Sequence, residues 1–201
     1  MHPAADVSGL TREFWEESHR RGGWLGGSSP EAVLRYHDIA PEGLRHASVT
    51  DLGVGTGEMS HHLVGLGAEV TSVDIAFGAL DKSAAQFKFH TKDLKRAPGA
   101  DVVICHLVTT HCEDDEVVRL LAEAPLKPRG FIALHSNEVL LDDDGGSPSR
   151  SSLVNQLRER ILITRTPQEV RALAEQAGRT VVSVTEGPRF GAIRWWFFRL
   201  R

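Results

Sequence analysis

Short apolar segments alternate with amphipathic segments along most of the chain. The stretch "SVTDL" (48–52) is short, contains β-branched residues and is followed by glycines, whereas "GEMSHHLVGLG" (57–67) has apolar residues at helical spacing and ends at a glycine. Applied along the whole sequence, the same criteria predict strands at 48–52, 69–75, within 88–94, and at 100–107, 129–136, 179–187 and 193–201. They predict helices at 57–67, 77–87, 112–126 and 166–178.

This alternation of strands and helices predicts an α/β fold. Parallel strands joined by right-handed helical crossovers form a doubly wound sheet with helices on both faces. The last two predicted strands are separated only by "GPRFGA", a spacing that suits a hairpin. We therefore expect a mostly parallel sheet whose last strand is antiparallel.

Composition narrows the class of protein. The chain has 201 residues, 41% of them apolar and 25% charged, which suits one globular domain. A net charge of −4 and the lack of any Lys/Arg run argue against nucleic acid or an anionic membrane as the main partner. Two cysteines without a pairing framework, and no apolar leader or spanning stretch, predict a cytoplasmic protein.

The segment "DLGVGTGEM" (51–59) follows the first predicted strand, where a doubly wound sheet binds its ligands. No lysine follows the glycines, so the loop lacks the nucleoside triphosphate pattern. Its third glycine comes one residue too early for a dinucleotide, and Glu58 would repel a pyrophosphate. A cationic or zwitterionic nucleoside fits the two acids that flank the loop.

Several segments together carry a family resemblance. The pattern Asp51-x-Gly53-x-Gly55-x-Gly57 resembles the first motif of class I S-adenosylmethionine-dependent methyltransferases. The segments "VDIA" (73–76), "KDL" (92–94), "DVVICHLVTTHCED" (101–114) and "LKPRGFIAL" (126–134) are similar to their later motifs, with Arg129 in the place of a glycine. The resemblance covers residues 48 to 201 and implies a Rossmann-like, doubly wound, seven-stranded sheet.

The resemblance also implies a cofactor and its binding residues. The glycines would let the backbone approach the methionine part of S-adenosyl-L-methionine. Asp51 would favour its ammonium group, Asp74 would accept both ribose hydroxyls, Asp93 would accept the adenine amino group, and Ile75 would cover one adenine face. The full expected cofactor-binding set is Asp51, Gly53, Gly55, Gly57, Asp74, Ile75, Asp93, Leu94 and His106.

Three histidines near predicted strand ends are candidate general bases, because the pKa of histidine lies near neutrality. His111 stands where the family has a histidine, and His135 and His106 are the next candidates. We expect no metal. The spacing of cysteines and histidines at 105–112 matches no common zinc pattern, and "DDD" (142–144) is typical of a solvated loop.

The expected organisation is one methyltransferase domain over 1–201. An N-terminal helical lid segment (1–47) precedes a cofactor-binding core (48–137), an acceptor-side insert (138–165), and a C-terminal helix with a β-hairpin (166–201). Within the lid, Phe14, Trp15 and Trp24 are candidates to cover substrate, and Arg12 or Arg21 to meet a carboxylate.

The predicted function is in-line methyl transfer to a small-molecule acceptor. Three alternatives stay open: a non-methylating use of S-adenosylmethionine, such as cyclisation or an aminopropyl-type transfer; a nicotinamide-dependent oxidoreductase; and a binding-only protein that keeps the cofactor fold.

Overall fold

The structure, a computed structural model, describes residues 12–21, 29–140, 162–190 and 192–201. Seven strands form one sheet in the order β3-β2-β1-β4-β5-β7-β6. The strands are β1 Ser48–Leu52, β2 Glu69–Asp74, β3 Phe87–His90, β4 Ala100–Cys105, β5 Leu126–Val139, β6 Val181–Phe190 and β7 Ile193–Leu200. The helices are α1 Arg12–Arg20, α2 Pro30–Tyr36, α3 Glu58–Gly65, α4 Phe77–Leu80, α5 Asp114–Glu123 and α6 Pro167–Gln176.

The sheet has the topology that the sequence predicted. Strands β1 to β5 pair in parallel, and β7 pairs antiparallel with both β5 and β6. Strand order reverses beside β1, which lies between β2 and β4, so the switch point falls at the glycine loop. The predicted fold class is confirmed.

The two faces of the sheet carry separate apolar layers. One layer joins α5 and α6 to the sheet through residues such as Leu121, Leu173 and Phe198. The other joins α2 and α3 through Leu34, Leu63 and residues of the central strands. Burial on both faces explains why β4 and the middle of β5, at Phe131–Leu134, consist of nearly continuous apolar residues.

Local sequence signals account for the clearest helix start. At α6, the Thr166 hydroxyl accepts a hydrogen bond from the Glu169 N–H at 3.3 Å, and the Glu169 carboxylate accepts one from the Thr166 N–H at 2.7 Å. Pro167 occupies the first helical turn, and Gly178 ends the element with φ +71°. The predicted cap, proline and closing glycine are therefore confirmed.

The helix predicted over 77–87 is wrong beyond its first turn, because α4 ends at Leu80. The Ser83 hydroxyl accepts a hydrogen bond from the Ala85 N–H at 3.0 Å, and the Ser60 hydroxyl accepts one from the Ala84 N–H at 3.2 Å. These side chains offer the backbone local partners that compete with a helix.

Several strand boundaries also differ from expectation, and β5 extends three residues beyond the predicted 129–136 at each end. β3 ends at His90 rather than near Asp93, because the Asp93 carboxylate caps a short 3-10 turn instead. β4 ends at Cys105, two residues before Leu107, which has φ +63°. β6 continues through Pro188, which the outermost strand tolerates at a register shift because that strand leaves one backbone edge unpaired.

Within the described ranges, every helix is too short or too polar to cross a membrane.

Candidate active site

Four predicted site residues form a row along the carboxyl edge of the sheet. Leu52 of β1 is level with Val73 of β2 and Cys105 of β4, and Cys105 is level with Leu134 of β5. The next residues, Asp74, Gly53, His106 and His135, therefore stand side by side on four neighbouring strands. Since adjacent strands lie about 4.8 Å apart, the row spans about 15 Å, a length suited to a nucleoside and an acceptor.

The glycine loop is held in a shape that requires glycine. Gly53, Gly55 and Gly57 have φ values of +76°, +57° and +84°. A Cβ at Gly53 would lie 2.2 Å from Val108 Cγ2, and one at Gly57 would lie 2.5 Å from the Lys82 carbonyl oxygen. A Cβ at Gly55 would meet no described atom within 4 Å, so the loop turns an open backbone surface outward there.

Asp74 binds the loop directly. Its Oδ2 accepts a hydrogen bond from the Val54 N–H and its Oδ1 accepts one from the Ala76 N–H, both at 2.8 Å. Burial raises the pKa of this carboxyl, and the Ala76 and Val54 N–H groups oppose that shift. Each oxygen keeps a further lone pair, so the carboxylate can still accept from two hydroxyls.

Asp51 lies behind the loop as an uncompensated acid. The residue is only 2% exposed, and its Oδ2 is buried without a hydrogen-bond partner among the described residues. Burial, and then the neighbouring Asp74, raise its pKa to about 7. A cation bound above the loop would stabilise the ionised form of this carboxyl.

The remaining predicted cofactor residues are more dispersed. The Ile75 carbonyl lies 2.7 Å from His90 Nε2, and the His90 ring stacks on Phe77 with centroids 3.5 Å apart. Asp93 is exposed and accepts a hydrogen bond from the Lys95 N–H at 3.2 Å. The Leu94 side chain is buried in the core, so only its backbone can face a ligand. The assignments of Ile75, Asp93 and Leu94 to the cofactor stay predictions.

His106 and His135 form a close pair whose rings are tilted relative to each other. Their Nδ1 atoms lie 3.0 Å apart and their ring centroids 4.6 Å apart. Burial lowers the pKa of His106 to about 4. The pKa of His135 lies well below its ordinary value, first because the ring is buried and second because of the charge of His106. Both rings are therefore neutral at pH 7, so a proton accepted here must leave again quickly.

His111 lies in a different environment from that pair. It ends the short 3-10 turn Thr109–His111, and its ring meets the edge of Trp15 with centroids 4.9 Å apart. The turn follows Leu107, whose positive φ is uncommon for a branched residue and is typical of a functional turn. His111 stays a predicted base.

The N-terminal helix α1 contacts α4 and the glycine-loop region, and the lid role of this segment stays a prediction. The Glu16 carboxylate accepts hydrogen bonds from the Phe77 and Gly78 N–H groups at 2.8 and 3.1 Å, and Trp15 packs on an apolar cluster that includes Val54. Arg12 lies over the Phe77 ring at 5.1 Å.

The other lid candidates have different positions. Arg21 pairs with Glu17 at 2.6 Å and is exposed. Trp24 and most of the predicted insert at 138–165 lie outside the described residues.

Arg165 is a site-supporting residue that sequence reasoning missed. Its side chain is 4% exposed and donates to the Thr109 carbonyl, the Cys112 carbonyl and the Asp114 carboxylate, each at 2.7 Å. These bonds hold the turn that carries His111. In the sequence, an arginine before a helix cap cannot be distinguished from a solvent-exposed cation, so no pattern predicted the role of Arg165.

His37, which follows α2, was also missed. The residue is 4% exposed. Its pKa is lowered to about 3, mainly by burial and to a smaller extent by the charges of His106 and Arg199. Its ring meets the edge of Phe197 with centroids 5.2 Å apart. No sequence motif includes His37, because it lies after α2, far in sequence from the motifs of the site.

Metal-ligating side chains do not cluster in the described part of the chain: no group of three or more His, Cys, Asp or Glu could hold an ion. The acidic run "DDD" (142–144) lies outside the described residues. Cys105 and Cys112 are both free thiols.

Comparisons with known proteins agree with this architecture. Residues 49–130 match the sequence model of a family described as "Methyltransferase domain". Magnesium protoporphyrin IX methyltransferase from Synechocystis PCC 6803, solved with bound SAM, has a TM-score of 0.67 and 16% identity, with 100% of each chain covered. A search of curated protein sequences found no match.

Two further solved structures share the fold but are longer. CalO1, a methyltransferase in calicheamicin biosynthesis solved with bound SAH, has a TM-score of 0.64 and 18% identity, with 86% of this chain and 53% of CalO1 covered. The mitomycin 7-O-methyltransferase MmcR has a TM-score of 0.61 and 23% identity, with 85% and 52% covered. The chain thus spans about half the length of these two proteins.

Residues 49–130 match a methyltransferase domain in sequence, and the sheet order and switch-point glycine loop around them agree with the class I architecture. The resemblance to S-adenosylmethionine-dependent methyltransferases predicted from the motifs is confirmed.

Proposed function

We propose that the protein transfers the methyl group of S-adenosyl-L-methionine to a small-molecule acceptor. The observation that carries this proposal is the row formed by Asp74, Gly53, His106 and His135. It joins a loop suited to a zwitterionic nucleoside to a pair of neutral imidazoles on the adjacent strands. The family match at 49–130 supports the same activity.

The residues around the glycine loop fit the cofactor. The open side of Gly55 leaves room for the methionine part, and the buried, unpartnered oxygen of Asp51 suits its ammonium group. The Asp74 carboxylate has lone pairs for the ribose hydroxyls. When bound, the cofactor supplies an electrophilic methyl group on a sulfonium centre.

The chain's own residues contribute positioning and proton transfer. The Asp74 bonds fix the loop, and Arg165 fixes the turn after β4, so nucleophile and methyl group can be held in line. Trp15 and Glu16 hold α1 against the loop and α4, which excludes water from that side. For a hydroxyl acceptor, the predicted bases are His111 beside Trp15, and His135 or His106 at the row.

The proposal also covers the cellular compartment of the protein and the kind of partner that it binds. Two free cysteines, one of them buried, suit a reducing compartment such as the cytoplasm. The net charge of −4 suits a small-molecule acceptor rather than nucleic acid or an anionic membrane.

The product of S-adenosylmethionine consumption tests the proposal. The protein is incubated with methyl-labelled S-adenosylmethionine and a small-molecule extract of its source cells. We expect S-adenosylhomocysteine together with label in an organic small molecule, and neither without the extract. Methylthioadenosine as the product would instead support cyclisation or aminopropyl-type transfer, and cofactor binding without turnover would support a binding-only protein.

A further inference from the structure

Helix α1 is attached to α4, and to the loop that follows α4, by two polar contacts. The Glu16 carboxylate accepts hydrogen bonds from the Phe77 and Gly78 N–H groups at 2.8 and 3.1 Å. Lys82 Nζ donates to the His19 carbonyl oxygen at 3.3 Å, in the last turn of α1, where a cation stabilises the helix. We call this arrangement the docked state of α1.

Docking buries the His19 side chain. The residue is 7% exposed, and a Cβ at Gly78 would lie 3.3 Å from His19 Cβ, so the two helices touch without a side chain between them. The Trp15 ring centroid lies 6.3 Å from that of His19, and Trp15 packs on a cluster that includes Val54 of the glycine loop. His19 therefore lies where α1 meets α4, close to the proposed cofactor loop.

This position suits a neutral imidazole and opposes a charged one. His19 Nδ1 is buried without a hydrogen-bond partner among the described residues. Protonation would add a full charge to the same buried ring, which costs far more free energy than burial of the neutral ring. A protonated His19 would lower that cost by leaving the interface for water.

The charged groups around His19 act in both directions. Burial is the largest influence on its pKa and lowers it, and the Lys82 ammonium also lowers it. The carboxylates of Asp74 and Glu16 raise it, but the pKa remains below its ordinary value. Lys82 thus supports the docked helix through the His19 carbonyl and repels a proton on the His19 ring.

The Glu16 contact does not titrate in the same pH range. The Phe77 and Gly78 N–H groups lower the pKa of Glu16, and the charges of Arg12 and His90 add to that shift. The carboxylate therefore stays ionised between pH 5 and 8, and its bonds to α4 persist there.

One more titratable side chain contacts α1. The His111 ring meets the edge of Trp15 with centroids 4.9 Å apart, so its protonation is an alternative source of any pH effect on α1. This contact involves the Trp15 ring, whereas His19 is part of the interface with α4. A variant of each histidine can therefore separate the two sources.

The direction of the pH effect follows from the two states of His19. An undocked histidine titrates near pH 6.5, so below that pH the undocked state binds more protons than the docked state. Docking is complete above about pH 6.5 and weakens as the pH falls. Between pH 7.5 and 5.5 the largest loss in the docking equilibrium constant is about tenfold, set by the titration of the undocked ring.

We propose that His19 is a proton-sensitive switch: its neutral ring allows α1 to dock beside the glycine loop, and a proton on the ring releases the helix. Release exposes the Val54 side of the loop. The docking claim is independent of methyl transfer. Its consequence, that acid speeds release of the cofactor, rests on the proposed function.

Amide hydrogen exchange of the full chain tests the switch. Protection factors of residues 13–20 are measured at pH 7.5 and 5.5, because such factors divide out the intrinsic effect of pH and report local opening. Wild type should lose protection severalfold, up to the limit of about tenfold. His19→Phe, whose ring cannot be protonated, should show equal protection at both pH values. An unchanged wild type, or an equal loss in His19→Phe, would overturn the proposal.

Two further variants are matched controls. His19→Gln is polar and uncharged, so it should also lose the pH dependence, whether or not the phenylalanine ring fits the interface. His111→Gln should keep the pH dependence of wild type. Loss of the pH dependence in His111→Gln would transfer the switch to that residue and overturn the assignment to His19.

A measurement on wild type needs no substitution. The ring titration of His19, followed in ¹H–¹⁵N spectra, should have the same midpoint as the loss of α1 protection, because one proton drives both. Midpoints that differ by more than about one pH unit would contradict the proposal.

The rate of S-adenosylhomocysteine release tests the consequence separately. Asp51 also titrates near neutrality, so wild type is compared with His19→Phe at each pH rather than with itself. At pH 5.5 release should be faster from wild type, by up to about tenfold, and at pH 7.5 the two rates should agree. Absence of binding at both pH values would remove the proposed function and leave the docking result standing. Normal binding with pH-independent docking would remove the switch and leave methyl transfer standing.

Discussion

The buried imidazole of His37 should make folding stability depend on pH in a measurable way. Burial lowers the folded-state pKa to about 3, whereas an unfolded histidine titrates near 6.5. Between these values the unfolded state binds more protons than the folded state. The stabilisation is therefore complete above about pH 6.5 and is lost as the pH falls toward the folded-state value.

The size of this effect follows from the two pKa values. At pH 5, His37 alone should cost about 2 kcal/mol of unfolding free energy relative to pH 7.5. His106, with a pKa of about 4, should add a similar loss. Asp51 acts in the opposite direction, because its raised pKa of about 7 favours the folded state as the pH falls. The total pH dependence therefore mixes opposing contributions.

A variant isolates the His37 contribution from the others. Urea unfolding of wild type and His37→Phe is measured between pH 7.5 and 5. The difference in their unfolding free energies should change by about 2 kcal/mol over this range, in favour of the variant at low pH. Tyr36→Phe is the control, because it alters the neighbouring ring without removing an imidazole, so its curve should parallel that of wild type. Parallel curves for His37→Phe would refute the buried, neutral state of this ring.

Three other substitutions test separate parts of the site. His111→Ala should lower kcat by about 10²–10⁴-fold with little change in cofactor affinity, as loss of a positioned base does; loss of cofactor binding in calorimetry would make the residue structural. Arg165→Met leaves two buried carbonyls without a charged donor and should cost about 3 kcal/mol in denaturant unfolding; a loss below about 0.5 kcal/mol would contradict the clamp. Near pH 7, S-adenosylhomocysteine binding should release about half a proton from Asp51, measured by calorimetry in buffers of different ionisation enthalpy, and none in Asp51→Asn.

The sheet and the glycine loop were predictable because their signals are local. Strand β1 was predicted at its observed bounds, since a short β-branched segment followed by glycines fits little else. The positive φ angles of Gly53, Gly55 and Gly57 are the reason that this pattern is specific. The start of α6 was equally clear, because its cap, proline and glycine lie within one contiguous segment.

The predictions that failed depend on contacts that are distant in sequence. The helix predicted after Phe77 stops early because Ser60, from α3, accepts the Ala84 N–H. Periodicity within the segment cannot show that competition.

The candidate site shows the same division. Asp74 ends β2 and His106 follows β4, so both were found by position, whereas His37 and Arg165 lie in other parts of the chain. The pairing of His106 with His135 depends on the register of β4 and β5, which the sequence alone does not specify.

Cofactor titration tests the central claim most directly. S-Adenosylhomocysteine and NAD⁺ are titrated separately into wild type, Asp74→Ala and the control Asp81→Ala, which removes an exposed carboxylate at the end of α4. We predict micromolar binding of S-adenosylhomocysteine to wild type and to the control, and no binding of NAD⁺. Asp74→Ala should bind at least tenfold more weakly, because a charged acceptor of ribose hydroxyls contributes about 1.5–3 kcal/mol. Binding of NAD⁺ in preference to S-adenosylhomocysteine, or equal S-adenosylhomocysteine affinity in Asp74→Ala and wild type, would contradict this account of the site.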